Sequence, residues 1–176
     1  MKIFSKTLEG YYFPIVLILV LSFSRLIPHP PNFTPIIAVA IMSSYFFKNI
    51  YISFATLLIS MLLADAFIGF YNNMLFIYLS LFLITFIFFK ININISSKNL
   101  IILGLMGSLI FYFVSNFGVW VLGSPGVYDI AYEKNLDGLI QCYLLAIPFF
   151  KNTLFSTLIF SYTTFAVYKL SHRYLV

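Results

Sequence analysis

Arg25, His29 and Asn32 fall close together in Ser24-Arg25-Leu26-Ile27-Pro28-His29-Pro30-Pro31-Asn32-Phe33-Thr34-Pro35. A guanidinium, an imidazole and an amide are side chains that grip a polar ligand. The prolines among them fix φ near −65° and bias each preceding residue towards extended geometry, so the stretch is predicted to be a semi-rigid loop. It is equally a sequence for a tight connector between helices, since Pro and Asn are common in turns. Further along, Asp65 interrupts the apolar run Leu62-Leu63-Ala64-Asp65-Ala66-Phe67, Asn116 and Trp120 stand four residues apart, and Lys151 adjoins Asn152. A carboxylate in an apolar run faces a bundle interior or a wet cavity and is a candidate site by default. Asn116 and Trp120 share a helix face and offer an amide and an aromatic wall to a small ligand.

Each of these residues also has a purely structural reading. Arg25 and Asp65 suit an internal ion pair. Trp120 suits an interfacial belt, Asn116 a bond between helices and Lys151 a snorkelling cation. His29 is a single imidazole without the Cys, His or acid spacing of a metal site. Convergence favours the binding reading, because all of these residues fall at one predicted membrane face.

The elements that must carry these groups follow from composition. The chain has 176 residues, 62% hydrophobic and only 9% charged, with mean hydropathy +1.02. Ordinary soluble domains carry about 25% charged residues. A chain so poor in charge cannot hydrate a globular surface, so lipid is its solvent and the fold is an all-α polytopic membrane bundle. Apolar runs predict six helices, at about residues 11–27, 35–47, 51–70, 74–89, 100–122 and 149–170. The second is short for a ~30 Å core and is expected to begin beneath the surface. Asp137–Ile147, ending at Pro148, reads as an interfacial or re-entrant segment.

Six spans place Lys2, Lys6, Lys48, Lys90, Lys98, Lys169 and Arg173 on one side. Arg25, Lys134, Lys151, Asp65, Asp129, Glu133 and Asp137 fall on the other. Because Lys and Arg are retained in the cytoplasm, both termini are expected to be cytoplasmic in a bacterial inner membrane. The proline loop, the 71–73 turn and the long loop through Gly123-Ser124-Pro125-Gly126 then share the outer face.

Other classes are disfavoured. No His-Glu-x-x-His, phosphate loop or Gly-x-Ser-x-Gly elbow occurs, so no enzyme is expected beyond a remote intramembrane chemistry of Asp65 with His29. Singly scattered basic residues do not suit nucleic acid. No inverted repeat marks a stand-alone transporter. The single Cys142 cannot form an internal disulfide, and no cofactor is expected. Small residues at Gly104, Gly107, Ser108, Ala40 and Ser44 allow close helix approach, chiefly within the chain.

The run SRLIPHPPNFTPIIAVAIMSSYFF, with LLADAFIGF, VSNFGVW and AIPFFKNTLF downstream, resembles a family of small bacterial membrane proteins of uncharacterised function. That family looks like a branch of the substrate-binding S components of energy-coupling-factor (ECF) transporters. The resemblance spans about residues 20–165. It implies a six-helix bundle that captures a vitamin-like or related small molecule at the outer face. It implies partnership with a transmembrane coupling protein driven by two ATPases. On this resemblance Arg25, His29 and Asn32 would lie in a lid, buttressed by Asp65. Asn116 and Trp120 would form a wall, and Lys151 and Asn152 the mouth. The Ala-xxx-Ala docking pair common in the first helix of S components is missing here; docking would fall to Ala40 and Ser44. The competing expectation is a scaffolding membrane subunit without a small-molecule ligand.

Overall fold

The computed structural model of the chain describes residues 2–91, 95–124 and 131–175. Asp129, Pro125 and Gly126 lie outside the described residues, as do the side chains of Lys2, Lys6 and Arg173. The described residues form six α-helices and no strand: α1 (Lys2–Phe23), α2 (Ile36–Phe47), α3 (Ile50–Ile68), α4 (Met74–Ile91), α5 (Ser97–Leu122) and α6 (Leu136–Leu175). A 3-10 turn, Ser24–Leu26, extends α1. Helices α3, α4, α5 and α6 are long and apolar enough to cross a membrane, whereas Pro14–Leu26 and Ile36–Phe47 are shorter apolar helices. Lipid-sized apolar surface on four such helices marks a membrane protein.

Helix α2 is the centre of the bundle. Its sequence IIAVAIMSSYFF is apolar around the whole circumference, the pattern of a helix enclosed on every side. It packs against all five other helices, and residues Ile36 to Ser43 are all buried. Its shortness follows from that position, since an enclosed helix has no lipid face to span. The enclosure also removes Ala40 from any docking surface: Ala40 is fully buried and its carbonyl accepts a hydrogen bond from Thr85 of α4. The small residues of α5 act within the chain as well. Gly107 faces Ile37 and Ile41 of α2, and a Cβ on Gly104 would meet Leu158 Cδ2 of α6 at 2.8 Å.

Local caps set the helix ends. Ser96 accepts from Asn99 N and starts α5 three residues before the apolar run suggests. Asn49 accepts from Tyr51 N and Ile52 N at the start of α3. Such side-chain acceptors satisfy the orphan amides of a first turn. Helix α3 ends at Gly69, whose φ of 101° is open to glycine, and whose N–H returns to Asp65 O.

The largest departure from the sequence reading is in α6. Asp137–Ile147 does not end at Pro148 or turn back as a re-entrant segment; it is the first part of one helix of 40 residues that runs through Pro148. A proline inside an apolar membrane helix is tolerated where neighbouring groups and local adjustment satisfy the freed carbonyl. Here the segment is also held by α5: Tyr112 donates to Tyr143 O, Tyr143 to Phe113 O and Cys142 Sγ to Asn116 O.

Candidate functional site

The proline loop folds as its residues dictate. Ile27, ahead of Pro28, is extended at φ −77° and ψ 134°, as the proline ring requires. Phe33 N donates to Pro30 O, closing a turn with Pro31 at its second position and Asn32 at its third. Asn32 adopts φ 59°, a left-handed conformation that Asn tolerates better than other non-glycine residues. The loop is pinned by Asn152 of α6, whose Nδ2 donates to Pro31 O at 2.9 Å.

Beneath this loop Arg25 meets Asp65. Arg25 Nη2 lies 2.8 Å from Asp65 Oδ1, with side-chain exposures of 9% and 0%. The contact is an ion pair whose angle falls short of a hydrogen bond. Tyr78 of α4 donates to the other carboxylate oxygen, Oδ2, at 2.7 Å. Arg25 Nη1 reaches Met61 Sδ at 3.6 Å, a weak acceptor. The Tyr71 hydroxyl is buried beside this group without a hydrogen-bond partner. Burial, and then the negative charge of Asp65, raise the Tyr71 phenol above its ordinary pKa of 10.0, so it is held as a proton donor.

Arg25 and Tyr71 of this group line one side of a cavity of about 120 Å³. Arg25, Asn32, Thr34, Tyr71 and Thr153 supply its polar wall, and Ile36, Ile37, Ile77 and Phe111 its apolar wall. An apolar pocket with a few convergent polar groups is the form of a small-molecule site. The guanidinium has five N–H donors, more than Asp65 and Met61 engage.

Of the residues singled out in the sequence, Arg25, Asn32 and Asp65 come together here, and Asn152 holds the loop above them. The others do not. His29 is exposed, with Nδ1 2.9 Å from Pro30 O in its own loop. Lys151 is exposed. Asn116 donates Nδ2 to Tyr112 O one turn back on its own helix. Trp120 Nε1 donates to Glu133 O. Lys134 lies 5.5 Å over the Trp120 ring and donates to Trp120 O and Val121 O, a cation placed where the C-terminal carbonyls of α5 favour one. Tyr71, Tyr78, Thr34 and Thr153 belong to the site but carried no spacing signal. For Tyr71 the only cue was its neighbourhood to Asn72 and Asn73 in a turn. No cluster of three or more His, Cys, Asp or Glu side chains suited to a metal ion occurs among the described residues.

Fold and site together define an all-helical membrane protein with a charged, partly enclosed cavity under a proline-stiffened loop. The chain belongs to a family of unknown function, DUF6580, whose model matches residues 6–175. No curated protein and no solved structure matches it.

Proposed function

We propose that the chain is a membrane-embedded capture subunit that binds a small molecule at the outer face of a bacterial inner membrane. In this reading it has six spans, both termini are cytoplasmic, and it acts as the S component of an ECF-type uptake system. A coupling protein and its two ATPases would supply the energy, and the chain itself would catalyse no reaction. The observation that carries the reading is the cavity. Arg25, paired with Asp65 but with N–H groups to spare, and the buried Tyr71 hydroxyl both line a hollow of about 120 Å³. Spare donors on the wall of such a hollow suit a small ligand that accepts from them.

Native mass spectrometry of the protein, gently extracted from its own host membrane, tests this. The expected result is a stoichiometric small-molecule adduct on the wild type that is depleted on Tyr71→Phe. That substitution removes only a partnerless hydroxyl, so the fold should be kept. A chain without adduct, or carrying only large membrane proteins, counts against capture.

A scaffolding role is the second reading, and one contact favours it. Asp65 is wholly enclosed, with Arg25 on one oxygen and Tyr78 on the other, which ties the end of α1 to α3 and α4. If the cluster is only a staple, replacing Arg25 and Asp65 together by Met and Leu should leave assembly with partner proteins intact.

A further inference from the structure

The charge count at the cavity bears on what it can hold. Arg25 contributes one positive charge and Asp65, at 2.8 Å, one negative charge. His29 and Lys151 are exposed and do not line the cavity. The two charges of the cluster therefore cancel before any ligand arrives. An anion placed beside them would leave one uncompensated negative charge in a poorly solvated place, which is costly.

Donors, by contrast, are plentiful. The guanidinium keeps N–H groups beyond those on Asp65 and Met61, and Tyr71 OH has no partner. Thr153 Oγ1 donates to Phe149 O, which leaves its lone pairs able to accept. The opposite wall is apolar, formed by Ile37, Ile77 and Phe111. A volume of about 120 Å³ is somewhat below the roughly 150 Å³ that takes a benzene ring.

We infer that the cavity selects an uncharged molecule, or the uncharged end of one, that presents a carbonyl-type acceptor to Arg25 and Tyr71 and a small apolar body to Ile37, Ile77 and Phe111. Primary and secondary amides, lactams and cyclic ureas belong to this class. Carboxylates of the same shape do not. The inference rests on the capture reading and narrows it.

Butyramide and butyrate are suitable probes, because they match in size and differ in charge. Their dissociation constants are compared by titration on the full-length protein in detergent at neutral pH. Butyramide is expected to bind more tightly by about tenfold or more. Asp65→Asn removes the compensating charge and is expected to reverse the order in favour of butyrate. The wild-type comparison stands without that variant, should the variant not fold. Equal or tighter binding of butyrate to the wild type overturns the charge argument while leaving capture in place. Binding of neither probe also overturns it. Capture itself is judged separately, by the presence or absence of an adduct on the host-extracted protein.

Discussion

The end of the bundle that carries the proline loop has two polar regions built from similar residue types, and they differ in what their polar atoms do. At the proline loop, Arg25, Asn32, Thr34 and Tyr71 surround a cavity, the Tyr71 hydroxyl without a hydrogen-bond partner and the guanidinium with N–H groups to spare. At the α5–α6 hairpin, Trp120, Lys134 and Asn116 have each found a backbone carbonyl. The hairpin also stands proud of the loop. Asn152 lies level with Pro31, and Leu136–Lys151 continue beyond it for roughly 24 Å of helix. In such a projection Lys134 closes the end of α5, Trp120 ties that end to the segment before α6, and Asn116 bonds back along its own helix. Residue type alone therefore does not distinguish a binding side chain from a structural one; the distinction is whether its hydrogen-bonding capacity is already satisfied.

The sharpest test of the difference is at the ion pair. Arg25→Ala leaves the Asp65 carboxylate, 0% exposed, with one hydroxyl partner. Breaking a buried pair by removing one partner costs about 3–5 kcal/mol. The expected outcome is a large fall in the midpoint of thermal unfolding in detergent. Arg25→Met with Asp65→Leu should recover most of it, because no charge is then stranded. Recovery of stability without recovery of ligand adduct would separate the two roles of Arg25. A double variant as unstable as the single one would show that the charge is not the source of the loss.

A smaller effect is expected at Tyr78. Tyr78→Phe deprives Asp65 Oδ2 of its donor at 2.7 Å. An unsatisfied buried acceptor, here a charged one, costs about 2–3 kcal/mol. Stability should fall less than in Arg25→Ala and by the same assay. An unchanged midpoint would mean that water or Tyr71 replaces the lost hydroxyl.

The hairpin side is tested by Gly118→Ala. A Cβ at Gly118 would overlap Asn73 Oδ1 and Phe76 Cγ at the start of α4. Asn73 in turn donates to Ser115 O, so the clash loosens the α4–α5 contact. Overpacking of this kind costs about 1–2 kcal/mol. The expected signature is lower stability with probe affinity kept. A parallel loss of affinity would extend the site into the hairpin.

These contrasts also mark how far the sequence could be read. The all-helical membrane character was legible from composition, because so few charges leave no other solvent. The two apolar stretches nearest the loop were legible as helices, yet α2's central position was not. Its uniform hydrophobicity fits a lipid-facing span and an enclosed helix alike, and only the packing of five neighbours decides. Pro148 was read as a stop because proline breaks helices in water. In α6 the facing helix α5 holds Cys142 and Tyr143, ahead of Pro148, and the helix continues through the proline. The site was half legible. Arg25 and Asp65 drew attention as charges in apolar runs, and their pairing across 40 positions was one of two open readings. Tyr71 and Tyr78 were not visible, since tyrosine is abundant in this chain, with 13 copies, and nothing in their spacing sets two apart. Asn116 and Trp120 shared a helix face as expected, but periodicity does not reveal that backbone carbonyls at Tyr112 and Glu133 already hold them.

The smallest expected effect is the most discriminating for the comparison itself. Asn116→Ala removes one hydrogen bond to Tyr112 O, 2.8 Å away on its own helix, and Trp120→Phe removes the one to Glu133 O. Each bond contributes about 1 kcal/mol at most in net terms, and neither side chain lines the cavity. Both variants should bind butyramide as the wild type does, with midpoints lowered slightly. Loss of binding in either one, with the fold intact by circular dichroism, would place a ligand across both regions. The hairpin would then move during capture, because its amide and indole must leave their carbonyls to reach anything bound beneath the loop.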